Sequence, residues 1–320
     1  MTARFPLAML PTPLMRADRL ARSLGRTEIW VKRDDLTGFM LAGNKARPLE
    51  RLIADAMATG ADTLVTGGGP ASNYCAAAAA AARVAGLRCV IVLYGADGGP
   101  VHPNLALVRW HGAEVRFTGN PDRSSVDEVL EQVAANVLAS GGRPYVMPRG
   151  GATVVGALAY VDAGQELADQ LAAIGARPAT VLVAAGSGGT AAGLVASTAG
   201  GRRPWRVVAA AVSRPPEETA TRVLELARAA ADRCGLHRPA DADVNVRDAR
   251  GPGYGLASAE GERAAELAAA TEGLLLDPVF SAKAMGTLLA DPQLPGPIVF
   301  WHTGGHAAGL AHLTALAKES

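Results

Sequence analysis

Residues 180–198 read TVLVAAGSGGTAAGLVAST, and this stretch combines three local patterns. Residues 180–184 are apolar and mostly β-branched, which predicts a buried strand, while residues 190–199 are rich in alanine, which favours a helix. The turn between them consists of Gly186, Ser187, Gly188, Gly189 and Thr190. A buried strand that turns directly into a helix is typical of a parallel α/β sheet.

The same alternation extends through the chain on both sides of this stretch. Further strands are predicted at residues 63–66, 89–93, 114–117, 144–147, 206–212 and 297–301. The predicted helices between them cover residues 73–85, 104–110, 126–139, 217–234 and 260–271. Near-continuous apolar strands separated by helices indicate parallel sheets covered on both faces, so the predicted fold class is α/β. In such sheets, ligands bind at the loops that follow the carboxyl ends of the strands.

Length and composition limit both the architecture and the class of ligand. With 320 residues, the chain is long enough for roughly two domains. Its 31 basic and 30 acidic residues form no long block of one sign, which argues against binding to nucleic acid or to an acidic membrane. Aromatic residues make up 4%, too few for platforms on which bases stack. These values predict a two-domain protein that handles a small molecule.

Cysteine usage and the apolar segments predict a cytoplasmic protein. The three cysteines are too few for a disulfide framework and show no metal-binding spacing. Prolines interrupt the first segment of the chain, which therefore makes a poor signal peptide. The most apolar run, residues 75–94, contains Arg83 and Arg88, so a helix followed by a strand is predicted rather than a membrane span.

Lys45 lies in the first of four unusual loops, after Gly43 and Asn44 and at the start of a predicted helix. The positive end of a helix makes a lysine easier to deprotonate, which suits an amine that forms a Schiff base. The alternative is a solvated lysine without a chemical role. A Walker loop is excluded, because Asn44 stands where that motif requires lysine and Lys45 where it requires serine or threonine.

The second and third loops are predicted to bind anions. Residues 67–73, GGGPASN, lead into a polyalanine helix whose exposed amides suit a carboxylate; the alternative is that Ser72 only caps this helix. The turn at residues 186–190 presents successive backbone amides at a helix start, which predicts a phosphate site, with a plain tight turn as the alternative. It does not fit the dinucleotide fingerprint, because no acidic residue follows about twenty residues on.

The fourth loop, HTGGH at residues 302–306, follows a predicted buried strand. Thr303 is suited to hydrogen-bond a nitrogen of a buried heterocycle. His302 and His306 also suggest a metal, but no carboxylate or cysteine neighbour is expected to complete a site. Structural histidines and no bound metal are therefore predicted.

Together, the four loops offer an amine, a carboxylate site, a phosphate site and a polar contact for a ring. One ligand needs all four, namely pyridoxal 5′-phosphate carrying an amino acid. The chain also resembles the family of D-cysteine desulfhydrase and 1-aminocyclopropane-1-carboxylate (ACC) deaminase, pyridoxal-phosphate enzymes of fold type II. The motifs that carry this resemblance are LPTPL, VKRDDLTG, AGNKARPLE, GADTLVTGGGPASN, RPYVMPRGG, GALAYV, GSGGTAAGL, GPGYG, EGLLLDPVFSAKAM and FWHTGG.

The resemblance implies two domains with parallel-rich, twisted sheets flanked by helices. Residues 1–44 and 156–320 would form a large cofactor-binding domain. Residues 45–155 would form a smaller, mobile domain that closes over the substrate. The family also implies a homodimer.

The resemblance further implies roles for individual residues. Lys45 would form the Schiff base with the cofactor and act as the base at Cα, with Ser72 and Tyr254 as further catalytic residues. Cofactor contacts are implied for Lys45, Asn44, Asn73, Gly186, Ser187, Gly188, Gly189, Thr190, Ser281 and Thr303. Substrate contacts are implied for Ser72, Asn73, Tyr74, Tyr254 and Phe280.

Several positions bear on which branch of the family the chain is similar to. Phe280 stands where both branches usually have tyrosine, so a proton carried by that phenol must come from elsewhere. Ser281 replaces the glutamate of the deaminases, and a hydroxyl favours a neutral pyridine ring, which suffices for β-elimination. Thr303 matches the desulfhydrases, whereas the deaminases commonly have leucine. Ala71 and Tyr74 differ from the usual polar residues and indicate a more apolar pocket.

These features predict a lyase that removes the Cβ substituent of cysteine or a related β-substituted alanine, giving pyruvate, ammonia and the leaving group. ACC deamination and β-replacement by a second nucleophile are alternatives within the same cofactor chemistry. From other classes, a non-catalytic protein that binds pyridoxal phosphate and a nucleotide-binding protein stay open.

Overall fold

The structure, a computed structural model, describes residues 3–201 and 203–319. Its strands are β1 (Leu14–Arg16), β2 (Ile29–Arg33), β3 (Thr63–Gly68), β4 (Arg88–Leu93), β5 (Glu114–Phe117), β6 (Pro144–Val146), β7 (Thr180–Ala185), β8 (Arg206–Ala211), β9 (Asn245–Asp248) and β10 (Ile298–His302). Its α-helices are α1 (Asp18–Ser23), α2 (Ala46–Ala58), α3 (Asn73–Val84), α4 (Pro103–Trp110), α5 (Ser125–Ala139), α6 (Val154–Ile174), α7 (Gly189–Thr198), α8 (Pro216–Cys234), α9 (Ala259–Glu272), α10 (Ser281–Ala290) and α11 (His306–Glu319).

The strands form two separate sheets. The larger sheet has the order β1-β2-β10-β7-β8-β9, in which every pair is parallel except the antiparallel edge pair β1–β2. The smaller sheet has the order β5-β4-β3-β6 and is parallel throughout. The predicted α/β class with parallel-rich sheets flanked by helices is confirmed.

Both faces of the larger sheet are buried under helices, as its apolar strands require. Along β7, Val181 and Val183 join one core cluster with residues of α6, α7 and α8. The alternate residues Leu182 and Ala184 join a second cluster with residues of α1, α9 and α10. Because successive side chains of a strand point to opposite faces, a strand covered on both sides needs a continuous apolar run.

Helix α6 is the longest helix and was not predicted from the sequence pattern. It packs against α2, α7 and α8 at once. A helix with neighbours on several sides needs apolar residues around most of its circumference, so it lacks the one-sided periodicity that marks a surface helix. Edge strand β9 and the helices α10 and α11 were likewise not predicted. In the described part of the chain, no helix has the length and apolar character needed to cross a membrane.

Candidate active site

The carboxyl ends of strands from both sheets open into one cleft. Loops that follow β3, β7, β8 and β10 line it, together with the turn that leads into α2. The residues predicted from the sequence that line this cleft are Asn44, Lys45, Ser72, Asn73, Tyr74, Gly186, Ser187, Gly188, Gly189, Thr190, Tyr254, Phe280 and Thr303. The fold therefore brings together segments that are more than 200 residues apart in sequence.

Lys45 is the lysine that the fold places in the cleft. The chain has four lysines, and all of them lie in the described range. Lys32 is fully buried in an ion pair with Glu166, and Lys283 donates to two backbone carbonyls. Lys318 is exposed near the end of α11. Only Lys45 among the four lines the cleft.

Burial lowers the pKa of Lys45 to about 8, and the opposing charge of Asp277 limits this shift. Asp277 also lines the cleft and is fully buried. Its carboxylate accepts hydrogen bonds from the backbone amides of Val279, Phe280 and Ser281 at 3.1, 2.9 and 2.8 Å. These bonds hold a negative charge near the amine, although burial raises the pKa of Asp277.

The turn that carries Lys45 is fixed to two other loops of the site. The Asn44 amide donates to the Thr303 carbonyl at 3.0 Å, and Asn44 Nδ2 donates to Thr190 Oγ1 at the same distance. Tyr160 Oη lies 3.0 Å from the Asn44 carbonyl oxygen and donates to Asp34 Oδ2 at 2.7 Å. The amine, the glycine-rich turn and the loop after β10 are therefore positioned as one unit.

A buried ionic network is connected to this unit through Tyr160 and Asp34. Arg47, whose side chain is 2% exposed, donates to both carboxylate oxygens of Asp34 at 3.0 and 2.9 Å. It also donates to Glu166 at 2.7 and 2.9 Å, and Glu166 in turn pairs with Lys32. Burial alone would raise the pKa of Asp34, but the guanidinium of Arg47 outweighs it and holds that pKa below its usual value.

The glycine-rich turn at the start of α7 is suited to an anion. Gly188 is the N-cap residue with φ of +92°, a left-handed conformation that favours glycine, and no side chain caps the helix there. The first amides of a helix have no partners within the helix and carry its positive dipole end. The turn therefore offers several donors to a phosphate group.

Ser72 and Asn73 combine a structural role with a place in the cleft. Ser72 caps α3, since its Oγ accepts a hydrogen bond from the Cys75 amide at 3.2 Å, but its own O–H is left to donate. Asn73 Oδ1 accepts from Asn104 Nδ2 at 2.7 Å, which leaves the Asn73 amide hydrogens as donors. Asn104 is buried and also donates to the Ala71 carbonyl at 2.9 Å. Both groups are thus available to anionic oxygens.

The aromatic residues of the cleft differ in what they present to it. Tyr74 is 2% exposed, and its hydroxyl contacts Met147 Sδ at 3.3 Å, so its phenol is engaged in the core. Phe280 and Tyr254 pack edge to face, with ring centroids 6.2 Å apart. Phe280 has no group that can donate a proton.

Ser281 is the predicted cofactor contact that does not line the cleft. It is fully buried, and its hydroxyl donates to Asp277 Oδ1 at 2.6 Å. The charged residue of this segment that lines the cleft is the buried Asp277, which was not predicted from the sequence. An aspartate just before a helix start is a common capping residue, but α10, which begins at Ser281, was not predicted, so this signal in EGLLLDPVFSAKAM was missed.

The expectation that no carboxylate lies near His302 and His306 was wrong. Asp35 Oδ2 is 3.9 Å from His302 Nε2 and 3.6 Å from His306 Nε2. Both Asp35 oxygens, however, accept hydrogen bonds from Arg33 at 2.8 and 2.7 Å. His302 Nδ1 accepts from the Gly304 amide at 3.2 Å, and burial lowers the pKa of His302 to about 4. A neutral ring that accepts at Nδ1 carries its hydrogen on Nε2, which opposes metal binding there.

Comparison with known proteins identifies the cofactor that this donor set fits. A family model described as pyridoxal-phosphate-dependent enzyme matches residues 6–304. The chain belongs to this family. It is 38% identical to the D-cysteine desulfhydrases of Salmonella choleraesuis and Salmonella paratyphi C, over 97% of this chain and 97% of each relative. These matches confirm the predicted family, the predicted cofactor and the expectation of an enzyme.

Solved structures agree with this assignment. The crystal structure of an ACC deaminase homologue superposes with a TM-score of 0.90, at 32% identity over 99% of this chain and 96% of that one. A fungal L-serine ammonia-lyase from Rhizomucor miehei has a TM-score of 0.70 at 18% identity, with 98% of each chain covered, and shares the fold. The fold-type II architecture implied by the sequence is therefore confirmed.

The residues of the cleft fit pyridoxal phosphate as a donor set. Lys45 supplies an amine of lowered pKa, and the uncapped start of α7 supplies amides for a phosphate. Thr303 lines the cleft with a hydroxyl that suits a ring nitrogen, and Asn73 retains two amide hydrogens for an anionic ring oxygen.

Proposed function

We propose that this chain is a lyase that performs α,β-elimination on cysteine or a related β-substituted amino acid. Its products would be pyruvate, ammonia and the leaving group. The single observation that carries the proposal is the position of Lys45, the one lysine of the cleft, with a pKa of about 8. Its similarity to D-cysteine desulfhydrases over 97% of both chains supports the choice of reaction.

The residues of the cleft divide the work between binding and proton transfer. Lys45, Asn73, Thr303 and the turn at residues 186–190 would hold pyridoxal phosphate, which supplies an electron sink for negative charge at Cα. The O–H of Ser72 and the first amides of α3 would bind the substrate carboxylate. Lys45 would take the proton from Cα, because a lysine of lowered pKa is a competent base near neutral pH.

A second candidate is ACC deamination, which the TM-score of 0.90 to an ACC deaminase homologue favours. Three residues argue against it. Phe280 lacks a hydroxyl, and Thr303 is the residue typical of the desulfhydrases. Ser281 stands where the deaminases have glutamate, and its hydroxyl donates a hydrogen bond to Asp277. β-Replacement would use the same residues and differs only in the second nucleophile.

A substrate panel tests the proposal. Purified holoenzyme would be incubated with D- and L-cysteine, β-chloroalanine, cysteate and ACC, and the keto acids separated. We expect pyruvate from the β-substituted alanines and no 2-oxobutyrate from ACC. Production of 2-oxobutyrate alone would establish the deaminase alternative, and absence of both keto acids would favour a non-catalytic binding protein.

Substitution of Lys45 tests the same proposal at its centre. Lys45→Ala should abolish both pyruvate formation and the borohydride-sensitive visible absorption of the bound cofactor. Lys318→Ala, on the exposed end of α11, is the matched control and should retain both. Retention of the absorption in Lys45→Ala would mean that another lysine binds the cofactor.

We further propose that the chain forms a homodimer, works in the cytoplasm and closes residues 45–155 over the substrate. Helices α4 and α11 pack against each other and carry exposed apolar side chains. Trp110 on α4 is 85% exposed, and Leu310 and Leu313 on α11 are 55% and 51% exposed. Unpaired cysteines are compatible with a reducing compartment. Sedimentation of the wild type and of Trp110→Glu would test the dimer.

A further inference from the structure

Three arginines line the cleft, and the lyase mechanism above does not use them. Arg123 precedes α5, Arg149 lies between β6 and α6, and Arg214 follows β8. They converge from distant parts of a chain whose net charge is only +1. This concentration of positive charge around a small-molecule site requires an explanation.

Surface carboxylates balance two of these arginines. Arg149 makes a two-pronged ion pair with Asp127 at 2.8 and 2.6 Å, and Arg214 pairs with Glu218 at 2.6 Å. Arg214 also donates to the Gly186 carbonyl at 3.0 Å. These two arginines therefore line the wall of the cleft with their charges compensated.

Arg123 has no ion-pair partner among the residues that the structure describes. It donates to Ser213 Oγ at 3.0 Å, and its guanidinium lies 4.6 Å from the centre of the Tyr254 ring. Stacking on an aromatic face leaves the edge of a guanidinium, with most of its N–H donors, available. The cleft thus contains a half-buried guanidinium that contacts no carboxylate among the described residues. The exposed carboxylate of the adjacent Asp122 interacts with its charge only without direct contact.

The other anions expected in the cleft have binding groups of their own. The uncapped start of α7 accounts for the cofactor phosphate, and the start of α3 with Ser72 accounts for the substrate carboxylate. Arg123 belongs to neither group, since it contacts Ser213 and Tyr254. A third anionic group in the bound substrate would complete the charge balance.

We propose that the cleft selects amino acids whose Cβ carries an oxyanionic group, either a sulfonate or a phosphate ester, and that Arg123 binds this group. This inference rests on the elimination proposed above. A planar guanidinium binds sulfonate or phosphate oxygens through two parallel hydrogen bonds, which gives it geometric selectivity over a lone charge.

The chemistry of the leaving group agrees with the residues present. Lys45 takes the proton from Cα, and the Cβ–S or Cβ–O bond breaks with its electron pair departing on sulfite or phosphate. Water then replaces the nitrogen, which gives pyruvate and ammonia without any outside oxidant or reductant. Sulfite and phosphate are stable anions that leave without a proton donor, and Phe280 offers none.

Steady-state kinetics of Arg123→Gln test the proposal. Wild-type holoenzyme should show higher kcat/KM with cysteate or O-phosphoserine than with cysteine or β-chloroalanine of the same chirality. Arg123→Gln should lower kcat/KM for the oxyanionic pair by about tenfold or more, the effect of one lost charge-assisted hydrogen bond. Its loss with the neutral pair should be at least about fivefold smaller, because for those substrates only the stacking on Tyr254 changes. Arg123→Lys should restore part of the loss.

The matched control is Arg109→Gln. Arg109 lies on α4, does not line the cleft and forms an exposed ion pair with Asp97, so this variant removes the same charge elsewhere. It should affect neither class of substrate. Equal losses with all substrates in Arg123→Gln, or weaker binding of pyridoxal phosphate itself, would overturn the proposal and assign Arg123 to the cofactor or to general electrostatic attraction.

A binding measurement separates this inference from the proposed reaction. Calorimetric titration of the holoenzyme with 3-sulfopropanoate and with propanoate compares ligands that differ in the sulfonate and have no amino group to react. We expect a wild-type preference for 3-sulfopropanoate that Arg123→Gln abolishes. If no amino acid yields pyruvate but this preference persists, the lyase proposal fails and the anion site stands. Equal binding of the two acids would refute the anion site.

Discussion

Lys45 owes its chemical character to burial and to a single opposing charge. Its pKa of about 8 leaves roughly one amine in ten uncharged at pH 7, whereas a lysine with the ordinary value of 10.5 would be almost entirely protonated. Asp277 stops the pKa from falling further, and its own position is fixed by three backbone amides. Asp277 therefore stabilises the charged form of Lys45, while burial keeps enough of the amine in its reactive, neutral form.

We predict that the rate at which the apoenzyme takes up pyridoxal phosphate follows the uncharged fraction of Lys45. The rate should rise about tenfold per pH unit below pH 8 and level off above it, because the neutral amine attacks the aldehyde. Asp277→Asn should move the midpoint lower, since the carboxylate raises the pKa of the amine.

Stopped-flow absorbance over a pH series measures this uptake. Nα-acetyllysine, recorded under the same conditions, corrects for ionisations of the cofactor itself. A midpoint near 10.5 in the protein, or an upward shift in Asp277→Asn, would contradict the assignment of these two residues.

At the level of elements, the start of α7 is the most distinctive feature of the molecule. This ten-residue helix follows the N-cap residue Gly188, which is in a left-handed conformation, and no side chain caps it. A glycine at the N-cap costs the helix roughly a few tenths of a kcal/mol relative to a serine or aspartate cap. The unsatisfied amides become useful only when an anion occupies the turn.

We predict that Gly189→Asp separates folding from cofactor binding. A carboxylate in the first turn suits the helix dipole, so the Tm of the apoenzyme should be maintained, and a Cβ there is in ordinary contact with Ala152 at 3.4 Å. The same charge opposes the phosphate, so the dissociation constant of pyridoxal phosphate should rise by about tenfold or more.

Gly189→Ala is the matched control, because it adds the Cβ without the charge. It should retain near-normal affinity in a fluorescence titration with the cofactor. A comparable loss of affinity in both variants would indicate a steric effect and remove the support for a phosphate at this turn.

At the scale of the whole molecule, a buried ionic network joins β2, α2 and α6. Arg47 contacts Asp34 and Glu166, and Tyr160 extends the network to the turn that carries Lys45. Charges withdrawn from water stabilise a fold only while every partner is present. The network therefore couples the position of the reactive amine to the integrity of the fold.

We predict that Asp34→Asn lowers the free energy of unfolding at pH 7 by about 3 kcal/mol, because it leaves Arg47 partly uncompensated in the interior. Since the pKa of Asp34 is lower in the folded chain than its ordinary 3.8, the ionised carboxylate stabilises the fold at neutral pH. That contribution is lost as the pH falls below 3.8 towards the folded value, so wild type and variant should converge in acid.

Chemical denaturation at a series of pH values measures both effects. Glu114→Gln, which removes the carboxylate partner of the exposed Arg116, is the control and should change stability little. Equal stability of Asp34→Asn and the wild type at neutral pH would show that the network contributes nothing net.

The local patterns of the chain predicted much of this molecule. Apolar runs followed by alanine-rich stretches predicted the central strands, because a strand covered on both faces cannot include polar side chains. Glycine-rich turns after strands predicted the loops of the cleft. Lys45 was a candidate amine from its own loop, and the family resemblance implied its role. Each of these features depends on residues that are adjacent in the sequence, so it could be predicted without the tertiary structure.

Other features depend on residues that meet only after folding. Helix α6 was not predicted, because a helix that packs against α2, α7 and α8 is apolar on several sides and lacks a one-sided periodicity. Asp277 beside Lys45, Asp35 beside His302, and the three arginines of the cleft come from segments far apart in the chain. Electrostatic interactions act through space over a few ångströms, so the sequence determined which chemical groups exist, and only the tertiary structure decided which of them share a site.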